Sequence, residues 1–147
     1  MNFDKEIFSE MVTFYGDVYH LPPLAAKIYA YLVFDFKRVG VSFEEFVEIF
    51  SASKSSVSSN LNLLLNLNII KDFNKIDERK RFFVMNENYM KIRFHEIIDK
   101  MQKELSILDK LSTFRNIEDE KSLHKFQIYR TLFQKNISNI QETLDHM

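Results

Sequence analysis

The stretch from Val41 to Asn68, VSFEEFVEIFSASKSSVSSNLNLLLNLN, decides how this chain folds. It opens with Ser42-Phe43-Glu44-Glu45, a capping box in which the serine side chain caps the first turn and Glu45 reaches back. Val41 and Phe46 stand where a hydrophobic staple fixes the angle of entry. The short helix so predicted continues through Val47 and Ile49 to Phe50. Ser51-Ala52 interrupts it, and Ser53 is a good N-cap for a further helix, with Ala52 and Val57 as a second staple. Val57, Leu61, Leu64 and Leu65 step by three or four residues and give that helix one apolar face. Its other side carries Lys54, Ser55, Ser58, Ser59 and Asn62. Asn68 follows the last apolar step, where a left-handed C-cap is expected and asparagine tolerates that conformation.

Working outward, two strands are predicted downstream, Ile69–Phe73 and Arg81–Met85, with residues 74–80 as a polar hairpin tip. Upstream, Phe3, Ile7, Met11, Phe14 and Val18 recur at helical steps over residues 3–19. Leu21-Pro22-Pro23 ends that helix, because proline removes a donor and restricts the residue before it. A second helix starts near Pro23, where a first-turn proline is welcome, and runs to about Lys37. Its apolar contacts include Leu24, Ile28, Tyr31, Leu32 and Phe36, and Gly40 closes the connection. Beyond Asn86 the helical period returns. Phe94, Ile98, Met101, Leu105, Leu108 and Leu111 form one seam. Leu123, Phe126, Phe133, Ile137, Ile140 and Leu144 form another, in a helix entered near Asn116 or Asp119. Seams of this kind belong to helices packed lengthwise.

The order gives a mainly α fold with a small two-stranded β-wing: a winged helix-turn-helix with long dimerisation helices. Residues 20–90 are the expected DNA-binding domain, and residues 1–19 and 91–147 the helical dimerisation region. The second helix of such a pair can enter a major groove, while a basic ribbon reaches backbone or minor groove. Short hydrogen-bonding side chains suit base edges and phosphates. The expected contacts are Ser53, Lys54, Ser55, Ser56, Ser58, Ser59 and Asn62 on the helix, and Lys75, Arg79, Lys80 and Arg81 on the wing. A serine-rich helix face and a basic hairpin are each ordinary solvated surface when met alone. Their occurrence together, in this order, points to double-stranded DNA.

Charge distribution agrees with that reading. The net charge is −1, but residues 1–50 carry four Lys/Arg against eight Asp/Glu. Residues 51–93 reverse this, eight against four, and residues 94–147 carry eight against nine. The positive charge is thus concentrated on the expected DNA-binding elements.

The segments Ser42–Phe46, Ser53–Ser58 and Leu64–Ile70 together resemble the DNA-binding segment of the MarR superfamily, and in particular its GbsR-like branch. The opening Leu21-Pro22-Pro23-Leu24-Ala25-Ala26-Lys27-Ile28-Tyr29 is similar to that branch, as is Ala52 through Ser58. Asp77-Glu78-Arg79-Lys80-Arg81 resembles the Asp-x-Arg-x-Arg wing of MarR proteins. The resemblance covers about residues 16–110. It implies that Arg79 is the wing-tip arginine approaching the minor groove, that Asp77 orients the wing and that Arg81 touches the backbone. Ser51 and Asn68 stand where the family usually has glycine.

Other chemistry finds little footing. The chain has no cysteine, which removes disulfides, thiolate metal sites and a nucleophilic thiol. His20, His95, His124 and His146 are scattered, and adjacent His95 and Glu96 point to different helix faces. Gly16 and Gly40 stand alone, so there is no glycine-rich phosphate loop. Acidic residues pair with lysine at helical spacing, as in Lys100 and Glu104. No nucleophile has a base and an orienting group at recognisable spacing. The expectation is a protein that is not an enzyme, with no cofactor and no metal. With 46% hydrophobic residues disorder is not expected. No apolar run reaches the roughly 20 residues that cross a bilayer, and the charged start, Met1-Asn2-Phe3-Asp4-Lys5-Glu6, is unlike a signal peptide. A cytoplasmic protein with no membrane partner is expected.

Two partners beyond DNA enter the reading. The apolar seams exceed what one winged-helix core can cover, so a homodimer is expected. Tyr15, Tyr19, Tyr29 and Tyr31 fall near the junction of the N-terminal helices with the dimerisation helices. Aromatic clusters can cage a quaternary ammonium ion, and the GbsR-like resemblance implies a link to choline and betaine metabolism. Core and interface packing is the commoner role of such rings. A small-molecule effector is thus a candidate partner of open identity. The alternative to a DNA-binding regulator, expected to act as a repressor, is a winged-helix adaptor that binds protein.

Overall fold

A computed structural model of the chain describes residues 3–35, 37–115 and 119–147. Among these residues the chain forms six helices and three strands, arranged as two compact units, residues 1–89 and 90–147. The first unit holds α1 (Lys5–Val18), α2 (Pro23–Phe34), β1 (Val41–Ser42), α3 (Phe43–Phe50), α4 (Lys54–Asn66), β2 (Ile70–Asn74) and β3 (Arg81–Met85). The expected winged helix-turn-helix is present, and the chain is mainly α.

The core is built around α2. It is apolar on nearly every side, and Ala25, Ala26, Ile28, Tyr29, Ala30, Leu32 and Phe34 are all buried, as an all-round apolar helix must be. Its alanines let neighbours approach closely. Phe46 of α3, Val57, Leu61 and Leu64 of α4, and Ile70 and Phe83 of the sheet close over it. Leu65, expected in the same apolar face, is half-buried. The helix ends at Phe34, short of Lys37: Asp35 leaves helical backbone and its carboxylate accepts from the Gly40 N–H at 3.0 Å. Phe36 lies outside the described residues.

The helix-turn-helix is fixed by its caps. Ser42 Oγ accepts from the Glu45 N–H at 3.3 Å and donates to Glu45 Oε1, also at 3.3 Å. Ser53 Oγ accepts from the Ser56 N–H at 3.2 Å. Both helices end in Schellman motifs. At the end of α3 the Ala52 N–H reaches Val47 O and the Ser51 N–H reaches Glu48 O, with Ser51 at φ +47°. At the end of α4 the Ile69 N–H reaches Leu64 O and the Asn68 N–H reaches Leu65 O, with Asn68 at φ +59°. Ser51 and Asn68 therefore both sit in the left-handed conformation that favours glycine.

The sheet is antiparallel in the order β1-β3-β2. The wing itself pairs Ile70 with Met85 through Asn74 with Arg81. The third strand, β1, is an addition to the expected hairpin: Val41 and Ser42 pair with Phe83 and Phe82. Two residues are too few to carry a readable alternation. Gly40 precedes this strand at φ +93°, and a Cβ there would lie 2.9 Å from the Phe73 ring and 3.0 Å from Phe82 Cβ. Glycine is required both by the dihedral and by the close approach. At the base of the wing the buried Asn86 donates its side-chain amide to Asn68 O at 2.8 Å, and its own N–H to Ile69 O at 2.9 Å.

Asp4 caps α1 through the Ile7 N–H at 2.9 Å. Of the expected stripe, Ile7, Phe14 and Val18 are exposed, Met11 is half-buried, and Phe3 sets its ring 5.0 Å from that of Phe34; α1 meets the core through Val12, Tyr15 and Tyr19. The helical period of this segment is legible in the sequence, but which of its two apolar stripes faces inward is not.

The second unit comprises α6 (Glu120–Asp145) and all of α5 (Tyr89–Arg115) but its first residue, Tyr89, which belongs to the first unit. Asp119 caps α6, accepting from the Ser122 N–H at 3.1 Å and the Ser122 hydroxyl at 2.8 Å. Those hydrogen bonds hold its carboxyl below the ordinary value. Asn116, the other expected entry point, lies outside the described residues. Arg130 grips both carboxylate oxygens of Asp109 at 3.1 and 3.2 Å, tying the two helices together.

Candidate nucleic-acid interface

Helix α4 turns Val57, Leu61 and Leu64 into the core, and the 3.6-residue period puts Ser55, Ser58, Ser59 and Asn62 outside, all exposed. Opposite this face the start of β3 and the hairpin tip bring up Arg79, Lys80 and Arg81. Between them lies a cleft of about 350 Å³, lined by Ser58 and Asn62 on one side and Arg79, Lys80 and Arg81 on the other. Leu61 and Phe83 also line it, and Phe43 and Glu44 reach it from the first turn of α3.

The sequence-predicted residues thus divide. Ser58, Asn62, Arg79, Lys80 and Arg81 share the cleft. Lys54, Ser55 and Ser59 are exposed on α4 outside its lining, and Ser56 is half-buried. The Ser53 hydroxyl is occupied as the N-cap of α4, and lies 3.3 Å from the Ser55 hydroxyl. Lys75 lies outside the cleft lining, its ammonium 4.1 Å from the centre of the Phe82 ring.

The wing's cations are also unequal. Arg79 and Lys80 are exposed and form no ion pair among the described residues. Arg81 is held: its Nε and Nη2 donate to Asp72 Oδ2 at 2.9 and 2.6 Å, and its guanidinium lies 5.2 Å from the Phe83 ring centre. The tip is shaped by Asn74, whose side-chain amide donates to Arg79 O and Lys80 O at 3.2 and 3.1 Å. Asp77 supplies a left-handed residue at φ +67° within the turn closed by the Glu78 N–H on Lys75 O.

Sequence reasoning missed Glu44, Asp72 and Asn74. In the sequence Glu44 reads only as part of a cap. Asp72 and Asn74 become visible once the register is known: Asn74 opposes Arg81, which sets Asp72 diagonally across from it on the same face.

The tyrosines separate into two groups. Tyr15, Tyr19 and Tyr29 pack ring on ring at centroid distances of 4.6 to 6.2 Å, and Tyr89 meets Tyr19 at 5.7 Å. Burial, with Tyr19 adding to it, raises the Tyr15 phenol above its ordinary value. Tyr31 belongs elsewhere, against Phe46 and Phe50. Rings in direct mutual contact form part of the packing in this structure.

Among the described residues no group of three or more His, Asp or Glu is placed to hold a metal, and no helix is long and apolar enough to cross a membrane.

The fold and the cleft define a winged helix-turn-helix protein with two long C-terminal helices. No family model matches the chain, and no curated protein matches it. Among solved structures, a crystal structure of a transcriptional regulator is similar over 96% of this chain and 95% of its own, with a TM-score of 0.59 and 18% identity. That likeness is one of fold. A looser one is to a mutant of MepR from a multidrug-resistant S. aureus clinical isolate, at 12% identity and TM-score 0.46, covering 93% and 99% of the two chains. A MarR/EmrR family transcriptional regulator from Acinetobacter sp. ADP1 gives 15% and 0.44, over 97% and 89%.

Proposed function

We propose that this chain is a cytoplasmic, sequence-specific duplex-DNA-binding transcriptional regulator of the MarR type, close to the GbsR-like branch, acting as a homodimeric repressor. The observation that carries the reading is the shared cleft. A polar helix face with Ser58 and Asn62 and a wing with Arg79, Lys80 and Arg81 open onto one space, so a phosphate backbone entering it meets cations while the helix meets base edges. Residues 20–90 supply the DNA-binding domain. Residues 1–19 and 91–147 supply the dimerisation region, for which the exposed stripes on α1, α5 and α6 are the reason. Helix α1 packs on α2, so in this reading it serves both the first unit and the dimer.

A small-molecule effector would have to open the Tyr15–Tyr19–Tyr29 cluster, since those rings now touch one another. The adaptor reading draws on Glu44, a carboxylate in the cleft that a phosphate would not favour.

The test is a salt series with the purified chain and its own upstream duplex. Binding should weaken steeply with salt, and Arg79→Ala should reduce the slope of log affinity against log salt by about one. Its thermal melting should stay unchanged, because Arg79 is exposed. Equal slope and affinity in the variant would remove Arg79 from the interface; no duplex binding at all would favour the adaptor.

A further inference from the structure

Of the three cations lining the cleft, Arg81 differs from its neighbours in already having an anion. Two of the five N–H groups of its guanidinium are directed at one oxygen of Asp72, at 2.9 and 2.6 Å. Its guanidinium carbon also lies over the ring of Phe83, a buried residue that lines the cleft. Asp72 itself does not line the cleft. The register places it on β2 opposite Phe83, diagonal to Arg81 on the same face, so it draws the guanidinium along the wing.

Both partners remain solvated, with side chains 50% and 40% exposed. A pair of that kind is weak enough to be exchanged for another anion. The geometry on Asp72 is that of a charge-assisted pair, which is also how arginine takes a phosphate. The two anions therefore compete for the same donors.

We infer that Asp72 is an internal counter-ion that occupies Arg81 in the free protein and must be displaced, or share its donors, when a phosphate enters the cleft. The device sets the strength of the wing's grip. Arg79 and Lys80 remain available for a first encounter, while Arg81 engages only where the backbone comes close enough to displace the carboxylate. A DNA geometry that brings a phosphate to that point is favoured over one that does not. The inference rests on the DNA-binding reading above.

The experiment measures the affinity of the full chain for its upstream duplex across a salt series in four proteins: wild type, Asp72→Asn, Arg81→Ala and the double variant. Asp72→Asn keeps the side-chain shape and removes the charge. It should tighten binding by about three- to tenfold near 0.1 M salt and steepen the salt slope by about one. In the Arg81→Ala background the same change should alter affinity by less than about twofold and leave the slope alone, since the released donor is missing. Circular dichroism melts should superimpose for all four, as both side chains are exposed.

Three results would overturn the inference. An equal gain in both backgrounds would mean that Asp72 only repels DNA through its charge. A loss of affinity in Asp72→Asn would mean that the carboxylate positions Arg81 for phosphate. Wild-type binding with an unaltered Asp72→Asn would show the pair to be irrelevant. Failure of every protein to bind duplex would overturn the DNA-binding reading and this inference together.

Discussion

Leu61 and Ile128 are both aliphatic residues on amphipathic helices, but Leu61 in the first unit is 2% exposed and Ile128 in the second is 54% exposed. The contrast extends to their units. The first closes a contiguous core of helices and a sheet around α2. In the second, Ile98 and Leu144 are the buried side chains among the described residues, while Ile107, Phe114, Ile128 and Leu132 lie open. One unit encloses a core within its own chain, although the outer stripe of α1 stays exposed; in the other, few apolar side chains are fully enclosed. A stripe at helical spacing signals a helix in both cases, and says nothing of where its cover comes from.

The contrast predicts most for Leu61→Ala. Truncating this fully enclosed side chain should cost about 2–5 kcal/mol of folding stability. Asn62→Ala, one residue on and exposed, should stay within about 0.5 kcal/mol while changing the sites selected from a randomised duplex pool. Asparagine holds adenine through a bidentate pair. Thermal melting separates the two variants; an early melt for Asn62→Ala would mean that the faces of α4 are misassigned.

A double change in the second unit, Ile107→Asp with Leu132→Asp, should do the reverse. Melting of the first unit should persist, and sedimentation at micromolar concentration should pass from a dimer mass to a monomer, a weakening of association by about a hundredfold or more. A wild-type chain that already sediments as a monomer would undo the contrast, since those stripes would then lack a cover of this kind.

Ser51→Gly tests a local cost inside the better-packed unit. Serine there sits at φ +47° to close α3, a conformation unfavourable for a residue with a Cβ. Relief of that strain, less the entropy that glycine loses, should raise stability by about 0.5–1 kcal/mol in denaturant titration. A destabilised variant would mean that the serine side chain contributes more than its backbone costs.

A slighter change is expected at Tyr15. Burial keeps its phenol neutral above the ordinary value of 10.0, so the folded state gains from the neutral form. That contribution is complete below about pH 10 and is lost as pH rises through the raised value. Tyr15→Phe should therefore blunt the alkaline loss of melting temperature and leave the neutral range nearly unchanged. An identical alkaline profile would remove Tyr15 from it.

Much of the fold is legible in the sequence because its signals are local. Ser42 and Ser53 read as caps from their own neighbours, and Asp119 as one of two entry points to its helix; each has a capping backbone hydrogen bond. Ser51 and Asn68 end their helices without glycine, in left-handed turns closed by Schellman hydrogen bonds. What stays hidden depends on partners distant in sequence. Strand β1 exists only against Phe82 and Phe83, and α1 turns toward α2 the stripe that meets its aromatic side. In the candidate site, composition indicates Arg79, Lys80 and Arg81, but not that one of them is already paired. Lys75 reads as another wing cation, and a ring holds it outside the cleft lining.

The packed tyrosines give the molecule an optical asymmetry. The chain has no tryptophan, and of its six tyrosines only Tyr129 falls in the second unit. Ring centroids as close as 4.6 Å couple the transitions of Tyr15 and Tyr29, so near-ultraviolet circular dichroism and tyrosine emission report chiefly on the first unit. Loss of the second unit's helices would register in the far ultraviolet and hardly at all in that band. A single unlabelled sample can therefore distinguish which unit melts first.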